Sequence, residues 1–382
     1  MAKKLIPYAT QWVDEDDIAA VVAALGSSNL TQGPRVLEFE EKMAAYCGAK
    51  YAVAVNSGTS ALHLACLAAG ISFGDEVITS PITFVASANC VLYCGAKPVF
   101  ADVQEDIINI DSDEVRKKIG PKTKALIPVH FSGNPCEMEK INALAKENKL
   151  LVIEDASHAL GAKYQGQMIG SGQFSDLTVF SFHAVKHIAI GEGGMVLTNN
   201  KDLYEKLLLY RSHGITRDRK DLNNYEGDWF YEMHSLGYNF RLTDIQSALG
   251  ISQLNKLDAF VDRRKEISRR YHEAFADFQK VKVLVETDGA ESSYHLFVIL
   301  VEDRKTVFYK LREAGIMVNV HYLPIYLQPY YRQLGYLPGL CPVAEGYYKK
   351  TLSLPMYPKL SDQEVDFVID TVKDILLKER MA

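Results

Sequence analysis

The repeated alternation of short apolar strands with helical stretches constrains the fold of this chain more than any other feature. Apolar runs at 51–55, 76–80, 98–100, 125–129, 150–154, 177–180 and 195–198 are predicted strands, and segments such as 57–69, 85–94 and 201–211 are predicted helices. A strand followed by a crossover helix is the unit of a parallel sheet that is covered by helices. The sequence therefore predicts an α/β fold with a mainly parallel sheet, whose ligands bind at the carboxyl ends of the strands.

The alternation ends near residue 217, and a smaller α/β unit is predicted after it. Charged, Asn and aromatic residues crowd the segment 217–231, which we expect to be a loop or small excursion and a candidate substrate flap. Two helices (243–257 and 258–275), three strands (281–285, 296–301 and 317–321) and helices at 305–314 and 362–377 follow. We expect a large domain at 1–257, including an N-terminal arm, and a small domain at 258–382.

Composition excludes several classes of protein. The chain has 382 residues and a formal net charge of -6, which gives no electrostatic footprint for nucleic acid or an anionic membrane. No run approaches the ~20 apolar residues of a membrane span, and no targeting segment is recognised at the start. The six cysteines form no Cys-x-x-Cys pair, which favours reduced thiols. We therefore expect a cytoplasmic protein.

Two candidate functional segments follow predicted strands. Ser57-Gly58-Thr59-Ser60 opens a helix, where free backbone N–H groups and hydroxyls would suit a phosphate, although an ordinary N-cap explains the same residues. Asp155 stands at the end of a buried strand, where a carboxylate is costly without a partner. That partner could be the protonated ring nitrogen of a pyridine cofactor, and an N-cap or a structural ion pair is the alternative.

Two further candidates lie later in the chain. Lys186 ends the run Ser-Phe-His-Ala-Val-Lys at 181–186 and precedes a glycine cluster at 191–194. Burial would lower the pKa of its amine and make it a nucleophile, whereas a solvated surface charge is the ordinary role of a lysine. Asn239 precedes the helix at 243–257 and has no obvious local role, which leaves it free to bind a ligand.

Other site classes lose support. No Gly-x-Gly-x-x-Gly follows the first strand, and there is no Walker sequence. His183 and His187 have the spacing of helical metal ligands, but Lys186 lies between them and the glutamate of an H-E-x-x-H motif is missing. We expect no metal site.

Taken in order, these segments resemble the pyridoxal-phosphate (PLP) enzymes with the aspartate-aminotransferase-like fold (fold type I), and more narrowly the sugar-nucleotide aminotransferases. The resemblance covers nearly the whole chain, and its runs are at 30–33, 56–62, 83–86, 154–161, 237–242 and 320–326. The runs at 157–161, 181–186 and 321–326 resemble the subgroup that acts in pseudaminic acid biosynthesis. Many relatives carry Gln where this chain has His158.

The resemblance implies PLP as the cofactor, with Lys186 and Asp155 as the catalytic residues. Lys186 would bind PLP as a Schiff base and then move the proton, and Asp155 would keep the pyridine nitrogen protonated. The other implied cofactor contacts are Gly58, Thr59 and Ser181 at the phosphate, Phe84 stacked on the ring (or simply a core Phe), His158 near the ring hydroxyl, and Asn239 from a second subunit. The implied sugar-nucleotide contacts are Tyr8, Ser28, Asn29, Leu30, Thr31, Gly58, Ser181, Asn239, His321, Tyr322, Leu323 and Pro324.

The implied reaction moves the amino group of L-glutamate to C4 of a UDP-linked 4-keto-6-deoxy-N-acetylhexosamine. The product would be UDP-4-amino-4,6-dideoxy-N-acetyl-β-L-altrosamine, made by a homodimer with shared active sites. An aminotransferase for a different 4-keto or 3-keto sugar nucleotide is the main alternative. A PLP-dependent sugar dehydratase would carry His at the position of Lys186, and a non-catalytic regulator would need a basic patch or a damaged site; the sequence has none of these.

Overall fold

The computed structural model describes residues 5–378, in which thirteen α-helices and fifteen strands are assigned. The helices are α1 (Glu15–Leu25), α2 (Pro34–Cys47), α3 (Gly58–Ala68), α4 (Ala86–Tyr93), α5 (Ser112–Lys118), α6 (Met138–Asn148), α7 (Lys201–Arg211), α8 (Asp244–Leu254), α9 (Leu257–Phe275), α10 (Arg304–Glu313), α11 (Pro329–Gln333), α12 (Pro342–Lys350) and α13 (Asp362–Lys378). The strands are β1 (Tyr51–Val55), β2 (Glu76–Thr79), β3 (Lys97–Phe100), β4 (Thr123–Ile127), β5 (Leu151–Asp155), β6 (Lys163–Tyr164), β7 (Gln167–Met168), β8 (Leu177–Ser181), β9 (Gly194–Thr198), β10 (Ile215–Thr216), β11 (Glu232–Met233), β12 (Lys282–Val283), β13 (Ala290–Glu291), β14 (Phe297–Leu300) and β15 (Thr351–Leu354).

A seven-stranded sheet in the order β1-β9-β8-β5-β4-β2-β3 forms the centre of the fold. The pairs β2–β3, β2–β4, β4–β5 and β5–β8 are parallel, whereas β9 runs antiparallel to both β8 and β1. The prediction of an α/β fold with a mainly parallel sheet is therefore confirmed. Because β9 turns back, Gly194 at its start lies opposite both Val55 and Ser181.

Apolar packing covers both faces of this sheet. Alternate residues of β1 enter two different cores, Ala52 and Ala54 on one face and Val53 and Val55 on the other. A strand that is buried on both faces carries mainly apolar side chains along its length. Polar side chains therefore collect at the carboxyl ends of the strands.

A further core, separate from the two that cover the large sheet, lies in the C-terminal part of the chain. The antiparallel sheet β12-β14-β15 packs with α9, α10 and α13. Ile6 joins this core and pairs with Ile316 in a parallel bridge, so the N-terminal arm packs against the C-terminal unit. The division of the chain between residues 257 and 258 coincides with the start of α9 and stays a prediction.

Two features of the C-terminal unit differ from expectation. The predicted strand at 317–321 is wrong, because this segment is irregular and makes single bridges, such as that of Asn319 with Ser353. The strand position beside β14 is taken instead by β15, a four-residue run that the sequence analysis did not identify. A short strand next to a proline gives little local signal, and its pairing depends on a partner about fifty residues away.

Three other expectations concern local features. Segment 217–231 is irregular and lies between the paired strands β10 and β11, as expected of a small excursion. All six cysteines are free thiols. Within residues 5–378, no helix has the length and apolar character needed to span a bilayer.

Candidate active site

A cleft of about 820 Å³ opens at the carboxyl ends of the central strands. The segments that follow β1, β2, β5 and β8 form one wall, and the N-terminal arm and residues 319–323 form the other. Most of the predicted site residues line it together: Tyr8, Gly58, Thr59, Phe84, Asp155, His158, Ser181, Lys186, His321, Tyr322 and Leu323. Predicted site residues up to 315 positions apart in the chain, Tyr8 and Leu323, thus meet in one cavity.

Asp155 is buried at the base of the cleft and is held by two donors. Ser87 Oγ donates to its Oδ2 at 2.6 Å, and the backbone N–H of Ser157 donates to its Oδ1 at 3.1 Å. Thr83 Oγ1 lies 2.8 Å from Ser87 Oγ, so hydrogen bonds connect Thr83, Ser87 and Asp155 in series. These bonds fix the direction of the carboxylate, so Asp155 can pair with a cationic ring nitrogen.

Glu154, the preceding residue, faces the opposite side of β5. Its carboxylate lies 2.6 Å from His130 Nε2, and both side chains are buried. His130 Nδ1 accepts the N–H of Cys136, so its Nε2 carries the hydrogen and donates to Glu154. The two adjacent carboxylates therefore have separate roles, one in structure and one in the cleft.

Lys186 lies half-buried in the loop after β8 and lines the same cleft. Desolvation by the surrounding protein lowers the pKa of its amine to about 8, and the Asp155 carboxylate opposes this shift. The neutral amine is therefore far more abundant near pH 7–8 than in an ordinary lysine, which is what a nucleophile requires.

The start of α3 forms an anion cradle beside β8. Ser57 caps the helix by accepting the N–H of Ser60, so the N-cap reading holds, while the N–H groups of Gly58 and Thr59 have no acceptor within the helix. A Cβ on Gly58 would lie 2.9 Å from Ser181 Cβ. The absence of a side chain thus lets the hydroxyl of Ser181 approach the helix N-terminus, which suits a phosphate.

Aromatic and imidazole groups form the sides of the cleft. Phe84 is 58% exposed toward it, which excludes the alternative of a core phenylalanine. His158 is buried, and its Nε2 lies 3.4 Å from the hydroxyl of Tyr322. Burial, with smaller contributions from Lys186 and other neighbours, lowers the pKa of His158, so its ring is neutral near pH 7.

His321 and Tyr8 form the wall opposite the sheet. His321 Nδ1 lies 2.8 Å from Ser353 Oγ, and its ring lies 5.6 Å from that of Tyr8 between centroids. Burial and the charge of Lys186 lower the pKa of His321 to about 4, so the imidazole is uncharged at neutral pH. This wall offers hydrogen bonds rather than charge.

Several predicted residues lie outside the cleft of their own chain. Pro324 is buried next to it, behind Leu323. Asn239 and residues 28–31 are exposed, and Leu30 and Thr31 lie beside the start of α8, because Thr31 pairs with Thr243 and Leu30 accepts the N–H of Asp244. Residues 217–231 do not line the cleft either, and their arginines stack on Tyr225 and Tyr231 within the excursion.

Sequence reasoning missed several residues that the structure brings to the site. Ser87 sits in α4 and reaches Asp155 across 68 positions, and His183, Glu192, Asn319 and Gln328 also line the cleft. Ser87 lies one turn after Phe84, so the match at 83–86 could have been extended to it. His183 and Glu192 lie in the segments 181–186 and 191–194 already named, whereas Asn319 and Gln328 carry no local signal.

The donor set fits PLP. The cradle at Gly58 and Thr59 would hold the phosphate, Asp155 the ring nitrogen and Lys186 the carbonyl carbon. His158 Nδ1 is buried and has no hydrogen-bond partner among the described residues, so a polar group on a ligand could still satisfy this imidazole. The phosphate, the ring nitrogen, the carbonyl carbon and a polar ring substituent of PLP would therefore each have a suitable protein group in the cleft.

Comparisons with known proteins agree with this arrangement. The profile of the DegT/DnrJ/EryC1/StrS aminotransferase family matches residues 11–373. The spore coat polysaccharide biosynthesis protein SpsC of Bacillus subtilis is 42% identical over 379 residues, 97% of each chain. The UDP-4-amino-4,6-dideoxy-N-acetyl-β-L-altrosamine transaminase of Campylobacter jejuni is 41% identical over 383 residues, 98% of each chain. The structure of Helicobacter pylori PseC, an aminotransferase of pseudaminic acid biosynthesis, matches with a TM-score of 0.91 at 38% identity, covering 98% of this chain and 100% of that one.

Proposed function

The chain belongs to the DegT/DnrJ/EryC1/StrS aminotransferase family, and from that premise we propose that it transfers the amino group of L-glutamate to C4 of a UDP-linked 4-keto-6-deoxy-N-acetylhexosamine. The product is UDP-4-amino-4,6-dideoxy-N-acetyl-β-L-altrosamine, and the reaction runs in the cytoplasm. Membership of the family makes the protein a PLP-dependent sugar aminotransferase. The finer substrate assignment is carried by the 41% identity, over nearly the full length, with the enzyme of Campylobacter jejuni that is named for this product.

Lys186 is the proposed proton carrier. Bound PLP supplies an electron sink and carries the amino group between the two substrates. Lys186 would hold PLP and, once released, move a proton to or from the carbon that gains or loses the amine. Its pKa of about 8 supports this role, because a group that accepts and returns a proton works best when its pKa lies near the working pH.

The other proposed cofactor contacts keep PLP in one orientation. Asp155 holds the positive charge on the ring nitrogen, and Ser87 and Ser157 prevent the carboxylate from turning away. Gly58, Thr59 and Ser181 bind the phosphate. Phe84 covers one face of the ring, and His158 faces its hydroxyl.

Tyr8, His321, Tyr322 and Leu323 are the proposed sugar-side contacts. They line the same cleft as the cofactor groups, and burial raises the pKa of the Tyr8 and Tyr322 hydroxyls, which keeps them protonated as donors. Neutral hydroxyl and imidazole groups suit a polyhydroxylated sugar better than fixed charges would.

We propose a homodimer with shared active sites. Asn239, Leu30 and Thr31 belong to runs that resemble the family, yet Asn239 and residues 28–31 lie on exposed surface outside the cleft of their own chain. A two-fold axis would bring this surface to the partner's cleft, where Asn239 would reach the phosphate and residues 28–31 the sugar nucleotide.

A different sugar nucleotide is the second candidate substrate. SpsC, whose name refers to spore coat polysaccharide, is as similar to this chain as the altrosamine transaminase is. Overall identity therefore does not separate the two substrates, and the configuration of the product has to be measured.

The test uses purified enzyme, L-glutamate and a panel of UDP-linked keto sugars. The panel contains two 4-keto-6-deoxy-N-acetylhexosamines that differ at C5 and one 3-keto sugar, and NMR reads the product's configuration. We expect amination at C4 with the L-altro configuration, matched by stoichiometric 2-oxoglutarate, and none with Lys186→Ala. Amination at C3 would assign the enzyme to a different sugar nucleotide. So would turnover of only the substrate whose C5 configuration differs from that of the L-altro product.

A further inference from the structure

Three buried histidines lie one against the next beneath the cleft, with adjacent rings tilted by 35° and 45°. The rings of His158 and His295 lie 4.3 Å apart between centroids, and those of His295 and His187 lie 5.6 Å apart. Each side chain is 4% exposed or less. His158 lines the cleft beside Lys186, whereas His295 and His187 lie behind it. We call His158, His295 and His187 the histidine cluster.

The histidine cluster carries no charge near neutral pH. Burial is the main cause that lowers the pKa of each ring, and the positive charges nearby add to it. Those charges come from Lys186 on the cleft side and from Arg264 of α9 on the other side, and His321 also faces His158. Since two protonated rings in contact would repel, the neutral cluster is the stable form.

The position of the His158 ring depends on packing more than on hydrogen bonds. His187 Nε2 donates to the carbonyl of Ser293 at 3.0 Å, which fixes that ring. His158 has one long contact, 3.4 Å to the hydroxyl of Tyr322, and its Nδ1 has no partner in the described chain. The ring of His295, 4.3 Å away and tilted by 35°, is thus the nearest ring neighbour that restricts the orientation of His158.

Arg264 fixes His295 in turn. Its buried guanidinium donates to the carbonyls of Tyr294 and His295 at 3.2 Å and to that of Met356 at 3.0 Å. The backbone of His295 is therefore clamped to α9 and to the segment after β15. A ring on a clamped backbone can serve as a rigid support for its neighbour.

We propose that His295 is a positioning residue for the amino transfer, because it holds the neutral ring of His158 in the plane from which it donates to the ring hydroxyl of bound PLP. This inference rests on the proposed function, since it assigns His158 to that hydroxyl. The N–H of a neutral His158 would stabilise the deprotonated ring oxygen of PLP without adding a positive charge beside Lys186.

The experiment replaces His295 in the PLP-loaded enzyme and measures two quantities. The first is the pH midpoint of the visible absorbance of bound PLP, and the second is the rate of the half-reaction with L-glutamate, which needs no sugar nucleotide. We expect His295→Leu to raise the midpoint by about half a unit or more and to slow the half-reaction by about fivefold, because the loss of the adjacent ring frees His158. His295→Phe keeps a ring and should stay within about twofold of the parent rate.

Two controls separate positioning from folding. His272→Leu removes a neighbouring half-buried histidine that packs on Tyr294 and Phe297, and it should change neither quantity. If His295 acts through His158, the effect of His295→Leu disappears in a His158→Gln background. An unshifted midpoint in His295→Leu, equal damage in His295→Phe, or full additivity with His158→Gln would overturn the proposal. A wrong sugar assignment would leave all of these readings intact.

Discussion

Asp155 and Lys186 show how two oppositely charged groups share one cleft without neutralising each other. Asp155 is held by Ser87 and by the N–H of Ser157, which keep its carboxylate in place. Burial lowers the pKa of Lys186 to about 8 even though Asp155 favours its charged form. A carboxylate that is held in place and an amine that readily loses its proton are a pair suited to amino transfer.

The lowered pKa of Lys186 has a measurable consequence in the apoenzyme. Covalent capture of PLP needs the neutral amine, whose fraction rises tenfold per pH unit below the pKa and levels off above it. We expect the rate of capture, trapped by borohydride at each pH, to level off near pH 8 instead of rising toward 10.5, the ordinary value.

The comparison needs a reference for the chemistry of PLP itself. The rate of capture by a free lysine derivative, measured over the same pH range, supplies it, and Lys186→Ala should capture nothing at this position. A rate that still climbs tenfold per unit above pH 9 would mean that Lys186 is solvated like a surface lysine.

At the scale of elements, the cradle depends on how closely α3 approaches β8. Three chain segments meet there, because β9 begins opposite the ends of β1 and β8. Gly194 permits this contact, since a Cβ on it would lie 2.4 Å from the carbonyl oxygen of Ser57, and Gly58 faces Ser181 in the same way. The helix N-terminus is therefore set against the sheet by two residues without side chains.

Replacing Gly58 should widen the cradle. Gly58→Ala puts a Cβ 2.9 Å from Ser181 Cβ, so α3 or β8 must shift by several tenths of an ångström. We expect the affinity for PLP, measured by equilibrium titration of the apoenzyme, to fall by about tenfold or more, because a phosphate loses well-directed N–H donors.

A matched variant tests whether the effect is local. Gly346→Ala in α12 adds a Cβ with nothing within 4 Å, and it should leave the affinity for PLP unchanged. Native affinity in Gly58→Ala would show that the phosphate does not bind at the start of α3.

At the scale of the whole molecule, the cleft lies between two cores. The strand ends of the large sheet supply Asp155, Ser181 and Lys186, and the C-terminal unit supplies His321 and Tyr322. Tyr8 joins the second group because the arm pairs with the C-terminal unit at Ile6 and Ile316. The cleft is therefore built from residues of both units.

The proposed shared sites make a subunit-mixing experiment decisive. Lys186→Ala removes a group of the cleft, and Asn239→Ala removes a group that we assign to the partner's cleft. After the two inactive variants exchange subunits at equal amounts, half of the dimers are mixed and each has one intact site, so about a quarter of the parent activity should return.

This outcome depends on where Asn239 acts. Lys186→Ala mixed with Asp155→Ala is the control, because each of these substitutions inactivates the cleft of the chain that carries it. In that mixed dimer, one cleft lacks Lys186 and the other lacks Asp155. Neither site is intact, so no activity should return. Failure of the first mixture to recover activity, with subunit exchange verified, would place Asn239 in its own chain's site or outside any site.

The sequence by itself determined the α/β class, the strands of the large sheet, and the positions of Asp155 and Lys186 at strand ends. These follow from local physics, because buried strands are mostly apolar runs and polar residues concentrate where those runs stop. Only the tertiary structure decided that β15, and not 317–321, pairs with β14, that Ser87 holds Asp155, and that His295 supports His158. Each of these contacts joins residues that are 51 or more positions apart, and it depends on the packing of elements whose sequences carry no mark of their partner.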